Sequence, residues 1–337
     1  MKKTKQKYLK DQAIKYPSLK NLYKEIQVDL DKVEEKLKLF SSSSNKLISE
    51  ISSYLFQNAG KRIRPTLLIL CSKLFGYKEK EHILMSALVE TIHTASLIHD
   101  DIIDNSDTRR GKPTAHSRWG SNITVLLGDY LYIKTIGLSL SSKHKEIVKI
   151  LIDVSTAMID GELNEYSLSG NLELKENVYL DILNKKTATL FSASCRIGGI
   201  LGNASQEETD LLAEYGTNLG ISFQIIDDLL DYTGDKKNLG KPTFSDLKEG
   251  RITMPLIYTI NNAGESDRKK IIRLYKEKGN SHKAILDIIK SNGALDYTYQ
   301  RAVDFANKSQ EILKKLPESN YRTSLHLIPE YILYRNR

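Results

Sequence analysis

Apolar positions along this chain recur at helical spacing, and no segment sustains the strict alternation of a half-buried strand. The pattern predicts an amphipathic helix over about 18–40, a serine linker at Ser41–Ser44, and a helix running to Asn58. Gly60 breaks that helix before the basic segment GKRIRP. An apolar helix from Pro65 to Phe75 ends at Gly76, and a long one follows over roughly 80–104. A polar loop spans 105–116, punctuated by Gly111 and Pro113. Helical periodicity resumes over about 121–141, 144–163, 175–202 and 206–232. A second long polar loop covers 233–251, and shorter amphipathic helices fill the rest from Ile252. Repeats of fixed period and low-complexity tracts are absent. The expectation is an all-α helical bundle, one domain over 18–337 behind a basic tail, 1–17.

The formal charge of +8 suits an anionic partner, although many of the lysines lie outside any motif. The opening MKKTKQKYLK lacks an apolar core, so it is not read as a secretory signal, and no apolar run is long enough to span a bilayer. A solvated lysine tail is expected there, with peripheral attraction to anionic lipid as the alternative. Cys71 and Cys195 lie in separate apolar stretches without a CxxC or a nearby histidine cluster, which points to buried, inert thiols in a reducing compartment.

Two acidic clusters of one pattern carry the chemistry: DDIID at Asp100, Asp101 and Asp104, and DDLLD at Asp227, Asp228 and Asp231. A helix puts residues i and i+4 on one face, so each cluster presents a carboxylate pair with a third beside it. The flanks Leu97, Ile98, Ile102 and Ile103, like Ile225, Ile226, Leu229 and Leu230, leave little polar face except the aspartates. Crowded carboxylates are costly without compensating charge, and hard divalent cations completed by substrate phosphates are the usual compensation. A metal-bridged diphosphate between two helices is the reading that follows. A structural metal site has the same carboxylates, but leaves the basic residues nearby unexplained.

Those basic residues are Lys61, Arg62 and Arg64 in GKRIRP, Arg109 and Arg110 after the first cluster, Lys185 and Lys186 before Thr187, and Lys241, Lys248 and Arg251 after the second. Guanidinium forks match phosphate oxygens and lysines act as point charges. Any one group could be a solvated face; their recurrence beside acidic clusters describes a site for more than one polyphosphate. His93, seven residues before Asp100, shares its helical face, His99 adjoins the cluster, and His116 is read as a loop residue.

The segments GKRIRP, SLIHDDIIDNSDTRRGKPTAH, Gly128–Asp129, KKTATL, FQIIDDLLDY and GKPTFSDLKEGRITMP stand in the order found in trans-isoprenyl diphosphate synthases (polyprenyl synthases). The chain resembles that family most clearly from about residue 45 to 260. The resemblance implies a helical fold around a central hydrophobic cavity, Mg²⁺ dependence with about three ions per loaded site, and head-to-tail (1′-4) condensation of isopentenyl diphosphate with an allylic diphosphate. Carried over by motif, the six aspartates would hold Mg²⁺ and the allylic diphosphate. Lys61, Arg64, His93 and Arg110 would bind isopentenyl diphosphate; Arg109, Lys186, Thr187, Gln224, Lys241 and Arg251 would contact the allylic one. Asp100, Asp101, Asp104, Asp227, Asp228 and Lys186 would carry catalysis. Ala59 and Phe244 depart from glycines common in the family, and an altered loop shape is expected there.

Small residues at Ala95 and Ser96, before the first cluster, resemble the long-chain members, with Ile92 and then Val89, Leu88 and Met85 as a deeper floor. About 24 helical residues span about 36 Å, room for about six or seven isoprene units. The resemblance further implies a cytoplasmic homodimer, or the catalytic half of a heterodimer, supplying quinone side chains. A shorter-chain synthase is the alternative. A terpene cyclase would lack GKRIRP and RRG, and a non-catalytic partner subunit would have lost the aspartates.

Overall fold

The structure, a computed structural model, describes residues 23–57, 60–233, 244–277 and 282–335. Lys241, Ala59 and the basic tail 1–17 lie outside the described residues. The all-α expectation holds. Helices α1 (Gln27–Ser41), α2 (Lys46–Gln57), α3 (Ile63–Leu74) and α4 (Glu81–Ile103) open the fold. A short helix α5 (Ala115–Trp119) leads to α6 (Ser121–Ser139), α7 (Lys145–Ser167) and α8 (Glu176–Leu183). Then come α9 (Thr189–Leu201), α10 (Gln206–Thr233) and the single turn α11 (Ser245–Lys248). Five helices close it: α12 (Met254–Asn262), α13 (Glu265–Lys276), α14 (His282–Ser291), α15 (Ala294–Leu313) and α16 (Asn320–Tyr334).

α3 is apolar on every side, and all of its residues except Lys73 are buried. Such a helix has no face for water and goes to the middle. It packs against α4, α9 and α16; α9 in turn packs against α4, α7 and α10, and α15 covers the outer side of α10. Cys71 on α3 and Cys195 on α9 are free, fully buried thiols, as expected. By contrast, α6 and α7 leave Leu126, Ile133, Ile159 and Leu163 more than half exposed.

Several segments differ from the sequence reading. The loop 105–116 contains a small hairpin, β1 (Thr108–Arg109) against β2 (Lys112–Pro113), too short to show alternation. Its turn residues Arg110 and Gly111 both have positive φ (53° and 75°), the geometry that matches strand twist in a two-residue hairpin. The helix expected over 175–202 is instead α8, a π turn at Asn184–Ala188, and α9. Among the described residues α1 runs from Gln27, while the expected start at 18 lies outside them; α7 continues four residues past its expected end at 163. Phe244 takes φ 64°, the left-handed backbone that a glycine would adopt freely. At that position the glycine-like conformation persists despite the side chain, which lies edge-on to Tyr232.

Candidate functional site

Both aspartate clusters lie at helix C-terminal ends, the first on α4 and the second on α10. Carboxylates there face the negative pole of the helix, so each needs a partner. In the first cluster the partners are cations. Buried Asp101 accepts a hydrogen bond from Arg109 Nε at 2.7 Å, and Asp104 from Arg251 at 3.1 Å. Burial pushes the Asp100 carboxyl up to about 7; Glu162 and Asp104 add to the rise, while Lys186 and Arg109 oppose it.

The second cluster leans mainly on neutral donors. Asp228 accepts from Tyr179 Oη at 2.6 Å and from Gln224 Nε2 at 2.8 Å. Burial nevertheless lifts it to about 7, those two hydrogen bonds only partly resisting. Asp231 accepts from Ser245 Oγ (2.8 Å) and from the backbone N–H groups of Ser245 (3.1 Å) and Asp246 (3.3 Å), and so ties α11 to α10. Asp227, half exposed, pairs with Arg335 at 2.9 Å.

One cation links the clusters and a second stands beside the first cluster. Arg251 binds Asp104, Asp246 (3.6 Å) and Glu249, and the backbone N–H of Asp246 reaches Asp231. Lys186 is gripped by Glu162 at 2.6 Å and by Glu165, which with Asp100 outweigh burial and raise its pKa. The π turn makes this possible by directing Lys186 toward α7 while the next residue, Thr187, donates to Gln224 Oε1 at 2.9 Å on α10. Single π turns are frequent at functional sites. Gly161 of α7 admits the turn: a Cβ there would stand 2.6 Å from the Lys186 backbone nitrogen. Lys185 points elsewhere, to Asp181 at 3.1 Å.

A basic pocket lies beside this acidic one. Arg64, buried, stacks over the Phe191 ring at 4.6 Å, and its Nε has no hydrogen-bond partner. Burial lowers its pKa to about 10, Glu90 and Asp227 offsetting part of the drop. His93 Nδ1 is likewise buried without a partner. Burial, then the charges of Arg64, Arg110, Arg109 and Arg62, hold the ring neutral. Arg110 extends from the hairpin turn to Gly60, and Lys61 lies over the Tyr331 ring at 5.3 Å. Unpaired buried donors are expensive unless a ligand satisfies them. His99, by contrast, packs on α6, with Nε2 3.2 Å from the Val125 carbonyl. His116, expected in a loop, instead lies in the short helix α5, where it meets Thr114 at the helix start.

Several residues of the site went unnoticed in the sequence: Glu162 and Glu165, Tyr179, Asp246 and Arg335. Glu162 and Glu165, three apart on a helix, carried a faint signal; Arg335, almost at the chain end, carried none. On the inner face of α4, Ile92 and Ala95 are fully buried, as are Met85, Leu88 and Val89. Half-buried Ser96 donates to the His93 carbonyl.

Among the described residues, no three Asp, Glu, His or Cys side chains gather closely enough to hold a metal by themselves. The carboxylate donor set still suits a hard cation, because Mg²⁺ takes one or two carboxylates and completes its shell with phosphate oxygens and water. Asp100 and Asp228, both lifted by burial among other carboxylates, mark where added positive charge would be most stabilised.

The polyprenyl synthetase family model matches residues 45–291. The chain belongs to that family. Over 299 residues it is 34% identical to the octaprenyl diphosphate synthase of Escherichia coli (strain K12), covering 88% of this chain and 92% of that one. It is 36% identical over 302 residues to the geranylgeranyl diphosphate synthase of Saccharolobus solfataricus, covering 86% and 90%. The polyprenyl synthase of Caulobacter crescentus CB15, solved with calcium and isoprenyl diphosphate, superposes with a TM-score of 0.90 at 31% identity over 96% of this chain and all of that one. This polyprenyl synthetase is therefore a prenyltransferase that elongates trans-prenyl diphosphates, as its ordered motifs led us to expect. Octaprenyl synthases among its relatives agree with the long-chain reading, while geranylgeranyl synthases are equally similar.

Proposed function

We propose that this enzyme builds a long-chain all-trans polyprenyl diphosphate by adding isopentenyl diphosphate units to an allylic diphosphate such as farnesyl diphosphate. The observation that carries the assignment of roles is the linking of both aspartate clusters through Arg251 and Asp246, with Lys186 held beside Asp100 and a group of buried basic residues with orphaned donors next to them. In this reading Asp100, Asp101, Asp104, Asp227, Asp228 and Asp231 hold Mg²⁺ and the allylic diphosphate. Arg109, Lys186, Thr187, Gln224, Arg251 and, outside the described residues, Lys241 face the same group. Lys61, Arg64, His93 and Arg110 take the isopentenyl diphosphate.

Mg²⁺, when bound, supplies charge that stabilises the departing diphosphate. Lys186 and Arg109 add fixed positive charge at that end, already oriented by Glu162, Glu165 and Asp101. Breaking the allylic C–O bond leaves a carbocation, and the apolar wall of α4 keeps water from it. The isopentenyl double bond attacks, and the released diphosphate takes the proton that is lost. No enzyme nucleophile is required. Small side chains at Ala95 and Ser96 leave room above Ile92 for a growing chain.

The exposed apolar side chains of α6 and α7 suit a homodimer through those helices (Leu126 is 68% and Ile133 74% exposed). We place the enzyme in the cytoplasm, with at most peripheral membrane contact as product leaves and quinone tails as the product's use. Among the described residues, no helix is long and apolar enough to cross a membrane. The test is purified protein with Mg²⁺, isopentenyl diphosphate and farnesyl diphosphate, with product length read by mass. A product stopping at about 20 carbons would select the shorter-chain alternative, and product only after adding a second protein would select the heterodimer.

A further inference from the structure

Arg62 and Arg64 stand two residues apart in the same basic segment, yet their side chains are in opposite states. Arg64 Nε is buried without a hydrogen-bond partner. Every nitrogen of the Arg62 guanidinium is engaged. Nε and Nη2 fork onto Glu34 of α1 at 2.5 and 3.1 Å, and Nη1 donates to Glu90 of α4 at 2.6 Å. Nη2 also lies 3.5 Å from the Phe56 carbonyl at the end of α2. The Arg62 and Glu90 side chains are 10% and 6% exposed. Burial works against the Arg62 charge, but its bonds to both glutamates outweigh this and raise its pKa.

The Arg62 backbone is equally constrained. Its φ is 50°, the left-handed region that an L-residue with a Cβ enters only when held there. Its carbonyl receives the first helical hydrogen bond of α3, from Thr66 at 2.9 Å. The direction in which Lys61 and Arg64 leave the chain is set by that one residue. Glu90 sits one turn before His93 on α4, so the tether also fixes α3 against the helix that carries His93.

We propose that Arg62 is a positioning residue: it does not touch the diphosphate, but pins the entry of α3 to α1 and α4 so that Lys61, Arg64 and His93 converge on a single isopentenyl diphosphate. This rests on the reading of the basic pocket as the isopentenyl diphosphate site. A lysine would not reproduce this, because its ammonium is a point charge without the planar fork that Arg62 sets on Glu34 while also reaching Glu90.

The experiment is steady-state kinetics with each substrate varied, together with thermal melting, on Arg62→Met, Arg62→Lys, the double variant Arg62→Met/Glu90→Gln, and Lys61→Ala. Arg62→Met raises KM for isopentenyl diphosphate roughly tenfold, about what loss of one well-placed contact costs, with KM for the allylic substrate changed less than about twofold. Arg62→Lys recovers little of this. The double variant leaves no unpaired charge at Glu90; it regains melting temperature over Arg62→Met but keeps the raised KM. Return of the isopentenyl KM to the wild-type value in the double variant, or equal changes in both KM values, would overturn the proposal. If Arg62→Met does not fold, the double variant carries the same test. Lys61→Ala separates the two claims. An unchanged isopentenyl KM there removes the pocket reading and the proposal with it, whereas a raised one beside an unaffected Arg62→Met removes the proposal alone.

Discussion

Two aspartate clusters of the same pattern are held by different chemistry. Asp101 and Asp104 face guanidinium groups, and Lys186 stands near Asp100. Asp228 and Asp231 face a phenol, an amide, a serine hydroxyl and backbone N–H groups, with Arg335 reaching only Asp227. The first cluster is therefore largely charge-balanced by the protein. The second keeps more uncompensated negative charge and depends more on what arrives. A shared motif fixes the positions of the oxygens, not how much positive charge they still require.

Removing carboxylates breaks the comparison most severely. Asp100→Ala and Asp228→Ala should each lower kcat by about a hundredfold or more, the scale for losing one preorganised stabiliser of developing charge. The Mg²⁺ concentration for half-maximal rate should rise further for Asp228→Ala. Equal shifts in both variants would mean that the clusters share their metal demand equally.

Arg251→Ala should cost roughly 3 kcal/mol in the metal-free enzyme, because Asp104 and Asp246 lose a partly buried partner. Thermal melting with EDTA reads this, and added Mg²⁺ should recover much of the loss. A melting temperature that metal does not move would show that Arg251 is not standing where cations are wanted.

Ala95→Phe and Ser96→Tyr should shorten the product without changing metal dependence, since they close space below the clusters rather than alter their charge. An unchanged chain-length distribution in both would remove α4 as the floor. The smallest effect concerns pH. Asp100 titrates near 7 folded but near about 4 unfolded. Between those values the native chain binds more protons, so its stability falls as pH rises. Asp100→Asn lacks that dependence, and in EDTA its melting temperature should gain on wild type between pH 5 and pH 8. A constant difference would mean the carboxyl is not elevated.

Most of the helices, and the residues grouped around the clusters, could be read from the chain because apolar spacing and charged motifs are local signals. What escaped was tertiary. Arg62 looked like its neighbours Lys61 and Arg64, and only Glu34 and Glu90, from two other helices, reveal that its guanidinium is already engaged within the protein. Arg335 reaches Asp227 across 108 residues of sequence. The hairpin after the first cluster has strands of two residues, below the length at which alternation can be seen.

The π turn at Asn184–Ala188 makes this stretch sensitive to the number of its residues as well as to their identity. It winds one surplus residue into the thread between α8 and α9. Deleting one residue of the turn would restore ordinary winding, and the side chains inside it would lose the directions that the turn gives them. The ammonium would then swing away from its glutamate clasp and the threonine from its glutamine. Deleting Asn184 or Ala188 would thus disable the enzyme without removing a single charged group.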